Sequence, residues 1–556
     1  MNMRHSLPGL LIALLFFSGT GCQKSSSGES PAALTPTRLS PDAILRVHWR
    51  GKNDLGIMAS AYYFMRIWEL PQSGQVEIQT LAKLSTAPWR WLPGENAANV
   101  TSNSLWLYPL LADVVWNESY FEIRQATNQP AEYVLAIRLD AAHEQLWQTN
   151  LAAVVQSLTG TRPVPAPDGQ FGWSLEKHEP STHIELTRVG QWTLVSAGPD
   201  QNALLDEIAA RIRHENTTYV SQTPGDWLEA DADLPRLVAL LPRSVGAEVT
   251  RLGLLTSSPT VSADWHFPAD LPRLSLAVTG DGGHVLTHAD LTFPKPLPVE
   301  LQPWTVPTNL IHPLVMSFSA ARGLKPWLTS WKTWEDLQIS PPPDQIYSWS
   351  LPAGMYQTYL AAPLPDAAGE VRALSAHLLQ TANPWLAAHN YFGFDPAPDS
   401  NGVVWGKSPT VRPFVQSAAA DGAGGVAYGG LLPETGAETT TNFYYEHPSL
   451  PELLQELSGQ TNLVYYHWEL TGARIESCLY IGQFLSVITH RTPLPLDSVA
   501  AVWLKTVMPR LGNCTTTVTV TGPHQLAFSR RSTVGFTAAE LNLLAAWLES
   551  PQFPKW

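Results

Sequence analysis

The sequence is poor in cysteine and in charge. It holds 3 cysteines in 556 residues, and only 15% of its residues are charged. Three cysteines without a CxxC spacing give no support for a zinc site, so we expect no structural metal. Acidic residues dominate what charge there is, with 34 Lys and Arg against 48 Asp and Glu and a formal net charge of −14. Because such a chain repels phosphates, we do not expect a nucleic-acid partner.

Long hydrophobic runs are also scarce. Beyond the N-terminus the chain has no run of about 20 apolar residues, the length that a membrane-spanning helix needs. Apolar residues nevertheless make up 44% of the chain, enough for several cores and about three or four domains. The short motifs GxSxG and HExxH are missing as well, and no other signature predicts a catalytic residue or a cofactor.

The first 21 residues have the composition of a secretory signal peptide. Arg4 provides a positive start, Leu10–Phe17 is a short apolar run, and Ser18–Gly21 supplies the small residues that a signal peptidase requires. This order predicts export from the cytoplasm, and therefore a compartment in which disulfides persist.

Cys22 directly follows these small residues. Residues 22–40, with the Ser/Pro/Gly-rich stretch Lys24–Thr37, form a predicted flexible tether. The arrangement resembles that of bacterial lipoproteins, and the resemblance implies that the Cys22 thiol carries a lipid that anchors the chain to a membrane. Gln23 in place of Asp implies the outer membrane within that family. The alternative is a plain secretory signal, because Gly19 and Gly21 also satisfy a small-x-small cleavage rule.

A lipid on Cys22 leaves Cys478 and Cys514 as an even pair. In an oxidising compartment such a pair predicts a disulfide. Two separately buried thiols are the alternative, because Cys478 lies in a helix-like stretch and Cys514 at the start of a strand-like one, so nothing local fixes their separation.

Strand-like and helix-like stretches recur in the same order, which indicates internal duplication. Ala43–Gly51, Leu314–Ala320 and Leu463–Glu469 each precede a helical pattern. Tyr133–Leu139 and Tyr356–Leu364 are likewise each followed by one. Strands therefore alternate with helices through hairpin-type turns, which predicts an α+β fold of duplicated modules, in which helices pack on one face of an antiparallel sheet beside a β-rich central segment.

Two hairpins, each followed by a helix, are predicted to be structural equivalents. They lie at Thr182–Ile212 and Thr515–Leu548. The second helix begins with a capping-box pattern at Thr537 and Glu540.

The proline-rich stretch Phe293–Pro307 is the predicted linker. The predicted modules are an α+β unit at 41–215, a β-rich segment with the linker at 216–305, a second α+β unit at 306–440 and a C-terminal α+β unit at 441–556.

Several groups of residues raise the question of a functional site. Glu229, Asp231 and Asp233 would share one strand face and could serve calcium, but the EF-hand glycine and terminal glutamate are missing, which favours a solvated strand face or an acidic cluster at a helix start. His467 and Glu469 would also share a face, as general acid–base groups or as a hydrogen-bonded strand pair. Glu446 and His447 are adjacent in the sequence, so a strand would point their side chains to opposite faces.

Two glycine-containing motifs resemble nucleotide-binding sequences, but the residues around them do not fit such a site. Gly406–Ser408 looks like the end of a P-loop, but Asn401 stands where the motif requires glycine. The cluster Gly422–Gly430 has Rossmann-like spacing, but it continues with glycine and proline where a helix should run.

Tryptophan is the most unusual component of the composition, with 22 residues. Exposed indole rings stack on sugars, whereas buried rings are large core residues. Trp327, Trp331 and Trp334 recur at helical spacing and predict a buried face.

The whole sequence favours an exported, lipid-anchored envelope protein with a non-catalytic binding or structural role, whose partner beyond the membrane is an envelope protein or a glycan. An extracytoplasmic hydrolase acting on glycan or peptide and a tryptophan-based carbohydrate-binding protein are the alternatives.

Overall fold

The fold was obtained as a computed structural model. It describes residues 40–90, 97–178, 181–221, 225–240, 271–312, 314–329, 341–352, 357–397, 402–406, 412–419, 424–431, 448–488 and 493–554. Helices and antiparallel strands make up most of these residues, so the predicted α+β class is confirmed. The N-terminal segment that contains Cys22 lies outside the described residues.

Twenty strands of the described residues form one continuous antiparallel sheet. The first ten are β1 Ala43–Trp49, β2 Ser119–Arg124, β3 Glu132–Arg138, β4 Val164–Pro165, β5 Trp173–His178, β6 Ser181–Val189, β7 Trp192–Gly198, β8 Leu228–Asp233, β9 Arg273–Gly280 and β10 Val285–Thr292. The second ten are β11 Ser317–Arg322, β12 Gln345–Ser350, β13 Thr358–Leu364, β14 Phe394–Pro396, β15 Gly402–Trp405, β16 Phe414–Ala419, β17 Gly425–Gly430, β18 Leu463–Leu470, β19 Asn513–Gly522 and β20 Gln525–Ser532.

The strand order of the first ten is repeated by the second ten. Across the first half the order is β4-β5-β6-β7-β3-β2-β1-β8-β9-β10. Across the second half it is β14-β15-β16-β17-β13-β12-β11-β18-β19-β20. The halves join where β10 pairs with β20, from Val285 opposite Ser532 to Thr292 opposite Gln525. Each of the first ten strands therefore has a counterpart ten strands later, and the two halves of the chain are an internal duplication.

This order decides which of the predicted equivalences hold. The pairs β1 with β11 and β3 with β13 are confirmed, whereas Leu463–Glu469 lies in β18, the counterpart of β8. The equivalence of the two hairpin-and-helix units is wrong. Thr182–Ala197 covers β6 and β7, whose counterparts are β16 and β17, while Thr515–Ser529 lies in β19 and β20 at the middle of the sheet. Both segments are antiparallel hairpins, because a local pattern specifies a hairpin but not its place in the sheet.

The helices of the first half are α1 Lys52–Ile57, α2 Tyr62–Trp68, α3 Pro71–Arg90, α4 Ala97–Trp116, α5 Ala141–Thr159, α6 Ala203–Glu215 and α7 Leu234–Leu240. Those of the second half are α8 Lys325–Leu328, α9 Ala367–His377, α10 Asn383–Ala388, α11 Leu450–Gly459, α12 Thr471–Ile488, α13 Val499–Val507 and α14 Ala538–Glu549. Helix α14 begins with the predicted capping box, in which Thr537 and Glu540 each bond to the other's backbone. Among the described residues, no helix combines the length and the apolar character needed to cross a membrane.

The largest core lies between the first half of the sheet and its helices. Alternating strand residues such as Val47, Phe121 and Ile137 pack there against α3, α4 and α5. On the other face of the same strands, Val134 and Ala136 pack against Leu204 and Ile208 of α6. The sheet is thus covered on both faces at β3. The end of α14 also reaches the largest core through Leu548, so the C-terminal helix connects the two halves.

Candidate functional site

A cavity of about 250 Å³ lies where helices of the two halves meet over the sheet. The first half contributes residues of β1, β2, β9, α2, α3 and α4, and the second half contributes residues of α13, α14 and the segment before α14. The lining residues are Trp49, Phe64, Ile67, Trp68, Ser73, Val76, Glu77, Thr80, Leu81, Leu84, Leu111, Val114, Val115, Ser119, Trp227, Val278, Trp503, Val534, Phe536, Leu541, Leu544 and Leu548. Six of these are aromatic, so the cavity is a predominantly apolar and aromatic space.

The four indole N–H groups of the lining are all engaged by the protein. Trp49 donates to the carbonyl oxygen of Val115 at 3.0 Å, and Trp68 donates to Glu77 at 2.8 Å. Trp227 donates to the Ser60 hydroxyl at 3.3 Å. Trp503 donates to the Ser73 hydroxyl at 3.1 Å. These bonds fix the rings and leave their apolar faces and edges as the surface of the cavity.

Glu77 is the only carboxylate among the described residues of the lining, and it is also engaged. Its Oε2 accepts from Lys52 Nζ at 2.7 Å and from Trp68, while its Oε1 accepts from the Trp116 indole at 3.2 Å. Lys52 is buried, and its ammonium lies 5.0 Å from the Trp68 ring centroid and 4.4 Å from that of Trp116. Two indole faces and one carboxylate thus stabilise the lysine charge. Lys52 and Glu77 therefore neutralise each other within the protein.

Gly280 of β9 shapes one wall of the cavity. A Cβ atom at this position would lie 2.5 Å from the Trp227 ring and would also collide with the backbone of Ser60. The missing side chain therefore lets the Trp227 ring pack directly against β9. The ring then packs beside Phe64, at a centroid distance of 5.4 Å.

The acidic run of β8 is used on the opposite face of the sheet. Arg46 forms an ion pair with Asp231 and lies over the Tyr219 ring at 4.7 Å, while Tyr219 and Ser221 donate hydrogen bonds to Glu229. Asp233 pairs with Arg273 at 3.0 Å. The three carboxylates do share a face, but each has its own partner. Within the described ranges, no cluster of His, Cys, Asp or Glu is placed to hold a metal ion.

His467 and Glu469 share a face of β18, as their spacing predicts. His467 Nε2 lies 3.4 Å from Glu469 Oε2, and Nδ1 of the same ring lies 2.8 Å from the Ser319 hydroxyl on β11. Burial alone would raise the pKa of Glu469, but the neighbouring His467 ring and hydrogen bonds from the Ala538 N–H and from Thr471 hold that pKa below its ordinary value. Ser319, His467 and Glu469 therefore form a row that contains a hydroxyl, an imidazole ring and an ionised carboxylate.

Among the described residues, the strands on either side of Ser319 offer no free backbone N–H groups for an oxyanion site. Acyl transfer requires free N–H donors aimed at the developing negative charge. Ser319 lies between β12 and β18, and ladder pairing on both sides occupies the backbone around it. A strand histidine that is hydrogen-bonded to Ser319 accounts for the geometry.

Cys478 and Cys514 are free thiols in the structure, so the disulfide expected between them is not formed in it. Burial is the main cause of a raised pKa at both, to about 11 for Cys478 on α12 and to about 12 for Cys514 on β19. Cys478 packs in an apolar cluster with Ile475 and Leu541. Both thiols lie near the Glu469 carboxylate, whose negative charge also contributes to the raised pKa of each.

The other residues singled out from the sequence fall into two groups. Lys407, Ser408, Glu446, His447, Trp331, Trp334 and part of the glycine cluster lie outside the described residues. Of the described tryptophans, Trp106, Trp116 and Trp385 are exposed, at 37%, 40% and 38%. Trp385 stacks within the protein on His389 and Tyr391. Trp106 and Trp116 stand ten residues apart on α4, and nothing brings the three rings into one coplanar platform.

The aromatic cavity was missed from the sequence. Trp49, Trp68, Trp227 and Trp503 are spread over more than 450 positions and share no spacing. The high tryptophan content was the available indication, and the fold shows where these four rings gather.

The chain matches no family model, and neither the curated proteins nor the solved structures include one similar to it.

Proposed function

We propose that the chain is an exported protein, anchored to the cell envelope through a lipid on Cys22, that binds a small apolar ligand without transforming it. The aromatic cavity between the two halves carries this proposal. Ligand sites are concave and mostly apolar, and they occur preferentially at the junctions of structural units. The signal-like N-terminus and the tether after Cys22 support the location outside the cytoplasm.

The composition of the cavity wall favours binding over catalysis. Its one carboxylate, Glu77, is held by Lys52, Trp68 and Trp116. The Ser73 hydroxyl donates to the Ile67 carbonyl at 2.7 Å and accepts from Trp503. Both groups are thus committed to protein partners, whereas proton transfer or covalent catalysis would need them to act on a ligand.

The binding role is tested on the full chain carrying Cys22→Ser, which removes the lipid and the need for a detergent that would itself fill an apolar cavity. Protein purified from its own envelope is extracted with organic solvent, and the extract is analysed by mass spectrometry. We expect a small apolar molecule at a stoichiometry near one. The variant Leu544→Trp fills the cavity and should lose this molecule, whereas Leu543→Trp changes the exposed neighbour on the same helix and should retain it.

Failure of the binding role has a clear signature. If the purified chain yields no small molecule, and an organic extract of the envelope does not raise its thermal unfolding midpoint, the cavity is a packing defect and the binding proposal is wrong. A ligand that binds only the native state must raise that midpoint by mass action.

The anchor is tested separately. Mass spectrometry of the mature N-terminus should show an acylated Cys22, and Cys22→Ser should move the protein from the membrane fraction to the soluble one. Density-gradient separation should place the wild-type chain with the outer membrane, as Gln23 implies. An unacylated N-terminus would leave secretion without an anchor, and the binding role would stand.

The hydrolase alternative has one specific observation in its favour, which is the row of Ser319, His467 and Glu469. A fluorophosphonate probe forms a stable bond with an activated serine hydroxyl and decides the question. We expect no labelling, because strand pairing on both sides of Ser319 occupies the backbone N–H groups around it. Labelling at Ser319 that is lost in His467→Ala would establish the hydrolase and overturn the non-catalytic role.

A further inference from the structure

We infer that the ligand of the cavity is electrically neutral and contains an aromatic ring system larger than benzene. This inference rests on the proposed binding function and names the chemical class of its ligand. Three properties of the wall lead to it, namely its lack of free charge, its volume and its rings.

Charge is the first property. A charged group that enters an apolar site must find an opposite charge or several hydrogen bonds there, because its desolvation is very costly. Glu77, the only charged residue in the described part of the lining, is bound by Lys52 and two indoles, and the four indole N–H groups point to protein acceptors. Nothing among these groups remains to neutralise a ligand anion or cation. The ligand is therefore neutral.

Volume is the second property. A dry apolar cavity of about 150 Å³ is enough to bind benzene. The present cavity measures about 250 Å³, so it has room for a second fused ring. Leaving it empty would forfeit the dispersion contacts of the atoms that line it.

The rings are the third property. Trp49, Trp68, Phe64 and Trp227 form a continuous aromatic wall, with neighbouring centroids 6.1, 5.4 and 5.4 Å apart. Trp503 and Phe536 contribute further rings from the second half of the chain. Aromatic groups gain from offset or edge-to-face contact with such rings beyond the burial of their area. An aromatic ligand is therefore favoured over a saturated one of equal size.

Four probes that share one carbon skeleton test these properties on the full chain carrying Cys22→Ser, after organic extraction and refolding have removed any native ligand. They are naphthalene, its saturated counterpart decalin, 2-naphthalenesulfonate and 1-naphthylmethylammonium, each measured by equilibrium dialysis. We expect naphthalene to bind with a stoichiometry of one. Decalin should bind about two- to tenfold more weakly. Both charged probes should bind more weakly by roughly 100-fold or more.

Matched variants show that binding occurs in this cavity. Leu544→Trp should abolish naphthalene binding, and Leu543→Trp should leave it unchanged. A second filling variant, Val76→Phe on α3, replaces Leu544→Trp if far-UV circular dichroism shows that the latter does not fold. Binding of naphthalene that persists in both filling variants would place it elsewhere and overturn the inference.

The outcomes separate the ligand class from the binding function. Equal binding of a charged probe would show that the wall accepts charge, and decalin binding as tight as naphthalene would show that the rings contribute nothing. Either result overturns the inference while the binding function stands. If none of the four probes binds, the inference is wrong, and if extraction of the native protein also yields no ligand, the proposed function fails with it.

Discussion

The backbone N–H of Ala538 donates a 2.7 Å hydrogen bond to Glu469 Oε1. Ala538 is the first residue of α14, where unpaired N–H groups create a partial positive charge, and Glu469 is a carboxylate buried on β18. One ionised group thus fixes the start of the C-terminal helix to the sheet. Because α14 also lines the cavity through Leu541 and Leu544, this bond positions part of the candidate ligand site.

The change Glu469→Gln should lower the stability of the protein by about 1–3 kcal/mol at neutral pH, because it weakens buried hydrogen bonds to an ionised acceptor. Chemical denaturation provides the measurement. The exposed residue Glu476 on α12 supplies the control, since Glu476→Gln should change stability little. Equal effects of the two substitutions would contradict the role of Glu469.

The same carboxylate predicts a dependence of stability on pH. The pKa of Glu469 is lowered from its ordinary value of 4.5 in the folded chain. Its ionisation therefore contributes stability above pH 4.5, and this contribution is lost as the pH falls through the folded-state pKa. The difference in stability between the wild-type chain and Glu469→Gln should shrink as the pH is lowered below 4.5. A difference that stays constant with pH would contradict the lowered pKa.

Removing Arg46 should destabilise the first half of the chain strongly. Arg46→Met leaves Asp231 without its cationic partner in a largely buried site, and such a loss costs about 3–5 kcal/mol. In a double-mutant cycle, adding Asp231→Asn should recover part of that loss. The exposed Arg213 on α6 is the matched control. Similar losses for Arg46→Met and Arg213→Met would show that the ion pair contributes nothing specific.

The two thiols should resist modification in the folded protein. Burial raises the pKa of Cys478 to about 11 and that of Cys514 to about 12, so the reactive thiolate is scarce at pH 8. Ellman's reagent should detect neither thiol in the native Cys22→Ser chain and both after denaturation without reductant. If the denatured chain shows no thiol, Cys478 and Cys514 form a disulfide and the expectation of two free thiols is wrong.

Gly280→Ala should disturb the cavity from the side of the sheet. The added methyl group has no room beside the Trp227 ring, so the ring must move. We expect a lower thermal unfolding midpoint and weaker naphthalene binding. Gly283→Ala in the neighbouring turn, where a Cβ atom meets only the Asp281 side chain at 3.6 Å, is the control. Unchanged naphthalene binding in Gly280→Ala would show that Trp227 does not shape the ligand site.

The sequence by itself determined those features that depend on neighbouring residues. Alternating apolar residues specified strands such as β3, because successive side chains of a strand point to opposite faces. Thr537 and Glu540 specified the start of α14, because a capping box is formed within one turn. The two-residue spacing of His467 and Glu469 placed both on one face of β18. The α+β class followed from the order of such local elements.

Only the tertiary structure decided how distant segments meet. Two hairpins with the same local pattern, at β6–β7 and β19–β20, occupy different places in the sheet, because strand pairing depends on partners far along the chain. Whether Cys478 and Cys514 pair depends on how a helix packs against a strand, and in the structure both are free thiols. The aromatic cavity joins Trp49 to Trp503 across the duplication. A cavity of this kind is formed by packing between elements, which the spacing of residues in the sequence does not reveal.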